Sequence, residues 1–255
     1  MHYNYKDNKT KKTTLVFIHG FLGGSEIWKS YESYFGENYS TLTVDLYGHG
    51  KSTENPDCSL ECIAEKISKI IKRLPIANCV LIGHSMGGYI SGYLLEFLPQ
   101  KIKGIVLLNS SLLGDSKGKQ EQRNRAIEIA RQHPYVFVGQ MVNNLFLQEN
   151  LAVFSEEVKQ YQQLAKRVQP ETIIKTLIHL RDRKSSVERA KIMQVPTLYI
   201  TSKHDTTIPY SLIEQQLPEL KARVIVLEKS NHMSFWEEKN TVLLAIESFL
   251  LSLNL

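Results

Sequence analysis

Cys79-Val80-Leu81-Ile82-Gly83-His84-Ser85-Met86-Gly87-Gly88-Tyr89-Ile90 sets an apolar run before a glycine-flanked serine and a helical pattern after it. The apolar run reads as a buried strand, and the glycines let the chain turn so tightly that the serine hydroxyl stands clear of the backbone. The helix that follows directs its amide dipoles at the same point. A G-x-S-x-G pattern alone is weak, because glycine and serine are common. The strand before it and the helix after it supply the context that a nucleophile elbow requires.

Working outward from this turn, Thr14 to Ile18, Thr41 to Val44 and Ile105 to Leu108 are further short apolar runs, and Thr197 to Thr201 and Val224 to Leu227 follow late in the chain. Continuous apolar runs suit parallel strands covered on both faces. Between them, Leu60, Ile63, Ala64, Ile67, Ile70, Ile71 and Leu74 recur at the three-and-four spacing of one helix face, stopped by Pro75. The alternation predicts an α/β fold built on a mostly parallel, doubly wound sheet. From about Leu112 to Met193 the strand signal vanishes, and helical patterns follow one another at Glu121 to Gln132, Ser155 to Val168 and Glu171 to Arg181. The expected organisation is a core of residues 1–111 and 194–255, interrupted by a helical lid of residues 112–193.

At 255 residues the chain is long enough for one large α/β domain with an inserted lobe. The formal net charge is +5, and the excess lies between Asp115 and Lys191 while the remainder balances. Such an excess can draw an anionic substrate, an acidic partner or a membrane surface. The bases are interspersed with acids, however, as on solvated helix faces, and that is the reading adopted. No motif supports nucleic-acid binding. The opening residues carry no signal-peptide run and no segment reaches the roughly 18 apolar residues of a membrane span, so a cytoplasmic protein without stable membrane insertion is expected. Cys58, Cys62 and Cys79 form an odd, sparse set, read as buried thiols rather than a disulfide framework or a metal site. The basic cluster from Lys9 to Lys12 reads as a solvated loop.

Four short motifs occur in order along nearly the whole chain. His19-Gly20-Phe21 follows one strand, Asp45-Leu46-Tyr47-Gly48-His49-Gly50-Lys51-Ser52 follows the next, Ser85 stands on its elbow, and Asp205 and His232 come later. The set resembles the alpha/beta-hydrolase superfamily, in which a helical cap roofs the active site as residues 112–193 would here. A serine hydroxyl needs a base to take its proton and a third group to hold that base. His232 follows the strand Val224 to Leu227 through a short polar loop, on the carboxyl edge of the sheet where Ser85 also lies. It is the expected base, with Asp205 as the orienting acid. His19 and His49 lie in glycine turns that their rings would fasten, and Asp45 reads as a brace for the turn after it. His84 is expected to point away from the serine, His204 to diverge from its neighbour Asp205, and His133 and His179 to belong to the lid. The preceding strand ends in Asn109, which carries no charge, and Asp115 lies too far along its loop to be the acid. By resemblance, the backbone amides of Phe21 and Met86 form the oxyanion hole.

A serine nucleophile points to acyl transfer to water, so hydrolysis of small or medium carboxylic esters is the expected activity, with no metal or organic cofactor. The segments Phe21-Leu22-Gly23-Gly24 and Ser85-Met86-Gly87-Gly88 also look like the menaquinone-pathway lyase of this fold, which has arginine where this chain has Tyr89. The carbon-carbon bond hydrolases usually have asparagine where this chain has His84. A ligand receptor that keeps the fold is the alternative from another class, distinguished by its lack of turnover. Leu112, Tyr135, Met141 and Phe146 are candidate substrate-binding residues, along with Leu113, Phe137 and Leu147, although at helical spacing such residues are more often lid core.

Overall fold

The computed structural model describes residues 1–9 and 13–254. Of the Lys9 to Lys12 cluster, residues 10–12 lie outside the described residues. Among the described residues seven strands form one sheet: β1 (Tyr3–Lys6), β2 (Thr13–Ile18), β3 (Ser40–Val44), β4 (Asn78–His84), β5 (Ile102–Leu108), β6 (Thr197–Ser202) and β7 (Ala222–Leu227). Their spatial order is β1-β3-β2-β4-β5-β6-β7, with β1 antiparallel to β3 and every other pairing parallel. The sheet is therefore mostly parallel, as the apolar runs predict. β1 escapes that pattern, since Tyr-Asn-Tyr-Lys at a sheet edge is largely exposed and carries no apolar run.

Helices flank the sheet. Those of the core are α1 (Lys29–Gly36), α2 (Leu60–Arg73) and α3 (Met86–Phe97). The chain between β5 and β6 forms α4 (Lys117–Gln132), α5 (Pro134–Asn143), α6 (Ser155–Lys166), α7 (Pro170–Arg181) and α8 (Val187–Met193). Three more follow: α9 (Tyr210–Glu214), α10 (Ser234–Glu237) and α11 (Lys239–Ser252). In α2 the Ser59 hydroxyl accepts the Cys62 amide at 3.2 Å as an N-cap. Ile67 and Ile71 are fully buried, each contributing about 1.5–3 kcal/mol. The helix ends where Leu74 turns extended ahead of Pro75, a position from which proline excludes the helical conformation. Neither α5 nor α8 is foreseen in the sequence. Pro134 opens α5 directly against the end of α4, leaving no loop to separate the two.

Two cysteines depart from expectation. Cys58 and Cys62 are joined in a disulfide, their Cα atoms 5.4 Å apart. The residues lie just before the cap and within the first turn of α2, and the helical turn brings them into bonding range. Cys79, within β4, is the buried free thiol expected, and burial pushes its pKa up to about 12.

Candidate active site

The carboxyl ends of β2, β4, β5, β6 and β7 converge, and the loops leaving them carry the candidate residues. Ser85 leaves β4 with φ 50 and ψ −115, a conformation that an L-residue holds at a cost of about 1–3 kcal/mol. The Ser85 amide donates to the Leu108 carbonyl at 3.0 Å, and its carbonyl accepts the Ser110 hydroxyl at 2.7 Å. The turn can close only on glycines: a Cβ on Gly87 would lie 2.1 Å from the Ile18 carbonyl oxygen, and one on Gly83 would lie 2.5 Å from the carbonyl of Gly87.

His232 and Asp205 meet as a buried pair, Nδ1 to Oδ2 at 2.8 Å. The other carboxylate oxygen accepts the amides of Thr207 at 2.8 Å and Ile208 at 2.9 Å. Burial alone raises the Asp205 pKa. The His232 ring, the Ile208 amide and the Asn109 side chain outweigh it and hold the carboxyl below the usual carboxylate range. The His232 ring and Ser85 line one cavity of about 20 Å³ with Phe21, Met86 and Met141. Among the described residues no hydrogen bond joins Ser85 to His232.

The other histidines divide as their turns suggest. His19 donates from Nδ1 to the Gly20 carbonyl at 2.7 Å and accepts the Leu46 amide on Nε2 at 3.0 Å. His49 donates to the Tyr47 carbonyl at 2.8 Å. Asp45 braces the turn after β3 by accepting the amides of Ser25 at 2.6 Å and Lys51 at 3.1 Å.

His84 differs from expectation, because its ring lies 4.9 Å from the His232 ring and lines the same cavity. Nε2 donates to the His232 carbonyl at 2.9 Å, and burial first, then the neighbouring His232, lowers its pKa to about 3. A neutral His84 thus holds the His232 backbone. It does not compete for the proton.

Of the candidate substrate contacts, Met141 lines the cavity. Leu112 packs beside Gly92 in the core, Phe146 stacks on Trp236, and Tyr135 is 62 % exposed on the outer surface of α5. Several residues that shape the site carry no sequence signal. Asn109, at φ 44, donates from Nδ2 to Asp205 Oδ2 at 2.9 Å, Ser202 Oγ at 3.1 Å and the Asn231 carbonyl at 3.2 Å, and its Oδ1 accepts the Ser234 hydroxyl. Tyr161 of α6 donates to the Phe21 carbonyl at 2.7 Å. Arg123 of α4, Tyr89 and Leu180 also line the cavity. Among the described residues no cluster suited to a metal ion is found, and no helix is long and apolar enough to cross a membrane.

A parallel sheet with a serine elbow on its central strand, and an Asp-His pair from later strands, defines an alpha/beta hydrolase. The family model for the alpha/beta hydrolase fold matches residues 13–239, and the chain belongs to that family. Among curated proteins it is similar to a putative esterase/lipase of Haemophilus influenzae, 30% identical over 112 residues that make up 42% of this chain and 39% of that one. It is also similar to an sn-1-specific diacylglycerol lipase of Mus musculus, 29% identical over 139 residues, 52% of this chain and 45% of that one. The matched stretches thus span less than half of either relative. Among solved structures, a thermophilic esterase from Thermogutta terrifontis superimposes with a TM-score of 0.87 at 22% identity, covering 98% of this chain and 93% of that one, which shows the shared fold.

Proposed function

We propose that this hydrolase cleaves carboxylic esters of small or medium size through an acyl-enzyme on Ser85. In this reading His232 Nε2 takes the Ser85 proton as Oγ adds to the ester carbonyl, and the amides of Phe21 and Met86 receive the oxyanion. The imidazolium then gives its proton to the departing alcohol. His232 next deprotonates water, which attacks the acyl-enzyme and returns Ser85. Asp205 holds the Nδ1–H tautomer and stabilises the imidazolium without taking its proton.

The observation that carries the reading is the buried 2.8 Å His232–Asp205 pair opening on the same cavity as a serine held at φ 50. Residues 112–193 act as a cap in this reading: Arg123, Met141, Tyr161 and Leu180 from four of its helices line that cavity. At about 20 Å³ the cavity has room for one water and not for an ester, so substrate entry requires the cap helices to shift.

The test is hydrolysis of p-nitrophenyl esters of increasing acyl length, with Ser85→Ala and His232→Ala as controls. Multiple turnover that falls by at least roughly 10³-fold in both variants is expected. Activity retained by either variant removes the assignment, as does an absence of turnover in folded wild type.

A further inference from the structure

The cap helix α4 brings an arginine to the serine cavity with part of its hydrogen-bonding capacity unused. Arg123 lines that cavity, its side chain 13% exposed, and its Nε donates to Asp115 Oδ2 at 3.2 Å. Among the described residues no hydrogen bond runs from its two terminal nitrogens, which lie outside the fully buried set. Asp115 is itself buried and shared, because Arg183 Nη1 reaches Oδ1 at 2.6 Å. Arg183 is held inside the fold: it also donates from Nη1 to the Leu180 carbonyl at 2.8 Å and from Nε to the Leu113 carbonyl at 3.2 Å, and its guanidinium lies over the Tyr89 ring at 3.9 Å. The Asp115 carboxylate therefore anchors one arginine within the fold and aims the fork of the other.

A third cation stands nearby. Lys119 donates from Nζ to the Thr207 carbonyl at 3.2 Å, and burial followed by the Arg123 charge lowers its pKa. Thr207 lines the serine cavity and also a second pocket of about 340 Å³ whose walls include Lys119, Arg183 and Asp115. Three cations thus gather around one carboxylate at the boundary between the reacting serine and a pocket large enough for a ligand. Asp205, the other nearby acid, is committed to His232, Asn109 and two amides. The excess of positive charge favours an incoming anion, and a guanidinium with free terminal nitrogens matches a carboxylate edge-on.

Building on the esterase reading, we infer that the preferred substrate is an ester that also carries a carboxylate, bound between Arg123 of the serine cavity and Lys119 of the second pocket, beside the Thr207 that lines both, while its ester carbonyl lies at Ser85. This assigns part of the basic excess of residues 115–191 to substrate recognition, the alternative that the sequence ranks below solvated helix faces.

The test uses two pairs of near-isosteric esters in a pH-stat. Monomethyl adipate and methyl hexanoate place or omit the charge on the acyl side; 5-acetoxypentanoate and pentyl acetate do so on the alcohol side. For one pair, wild type is expected to favour the charged ester by at least about tenfold in kcat/KM, and Arg123→Met to lower that ratio by roughly 10- to 100-fold, mainly through KM. Arg123→Lys should restore part of it, because the charge returns without the fork. Turnover of the neutral esters with no preference in either pair, or a preference that Arg123→Met leaves intact, overturns the inference while the esterase reading stands. If no ester is turned over, the esterase reading fails, and calorimetric binding of adipate decides the subsite. Binding lost in Arg123→Met upholds the anion site; equal binding in both proteins, or none in wild type, removes it.

Discussion

Replacing Asn109 by glycine removes the one side chain that ties Asp205 to the carboxyl ends of β5, β6 and β7 together. Glycine accepts the φ of 44 without strain, so the backbone is left as it is and the effect reports the amide. Its bond to the charged Asp205 oxygen is of the class worth about 1.5–3 kcal/mol. The bonds to Ser202 and Asn231, with the Ser234 hydroxyl on Oδ1, are neutral and worth about 0.5–1.5 kcal/mol each. Water entering the vacated space recovers part of these, leaving a net cost of about 2–4 kcal/mol. For a chain of this length that lowers Tm by about 4–16 °C. The pH dependence adds a sign. The Asp205 pKa is depressed in the folded state, so its contribution to stability is present above the unfolded carboxylate value near 4 and is lost as pH falls through the lower folded value. Without Asn109 the folded pKa moves back toward 4, so the gap between the two proteins should be widest at neutral pH and shrink in acid. Thermal melts from pH 3 to 7 read this directly, and kcat/KM for a p-nitrophenyl ester should fall by roughly tenfold as Asp205 loosens its hold on His232. An Asp205→Asn background should remove part of the Asn109→Gly penalty, the part that comes from the charge, because the two changes share one interaction. A Tm change below about 2 °C at pH 7, or a penalty independent of Asp205, would refute the reasoning.

Three further outcomes follow from the packing. Gly87→Ala should cost more than about 3 kcal/mol or prevent folding, since its Cβ meets the Ile18 carbonyl oxygen at 2.1 Å and neither backbone segment can yield; urea unfolding or soluble yield shows it. Arg183→Met breaks a buried ion pair and two carbonyl contacts, but Arg123 still partners Asp115, so a loss at the low end of the range, about 3 kcal/mol, is expected in chemical denaturation. Reducing the Cys58–Cys62 disulfide, which spans four residues, should cost about 2 kcal/mol by loop-closure entropy. Mass spectrometry after alkylation without reductant should find both thiols protected, and equal melting with and without reductant would count against that contribution.

The sequence discloses what repeats along the chain and hides what converges across it. β2 to β7 are legible because each is a continuous apolar run, and Ser85 because its strand, glycines and helix are contiguous in sequence. β1 is not, since an edge strand open to solvent needs no apolar face. The same distinction governs the candidate site. His232 and Asp205 stand out through motif order, yet the residues that set their geometry lie on unrelated segments: Asn109 123 residues before His232 in the chain, His84 148 residues before it, and Leu145 of the helical segment between β5 and β6, whose carbonyl accepts the His232 amide at 2.9 Å. Asn109 shows why elimination by charge misleads. Set aside as the acid because it carries no charge, it supplies from the strand end a hydrogen bond that helps the buried Asp205 carboxylate stay ionised. Arg123 is hidden for the opposite reason: as one base among many on a polar helix it looks solvated, and only the buried Asp115 that receives its Nε turns it toward the serine cavity. Charge that sequence can only count becomes chemistry once a counter-ion fixes its direction.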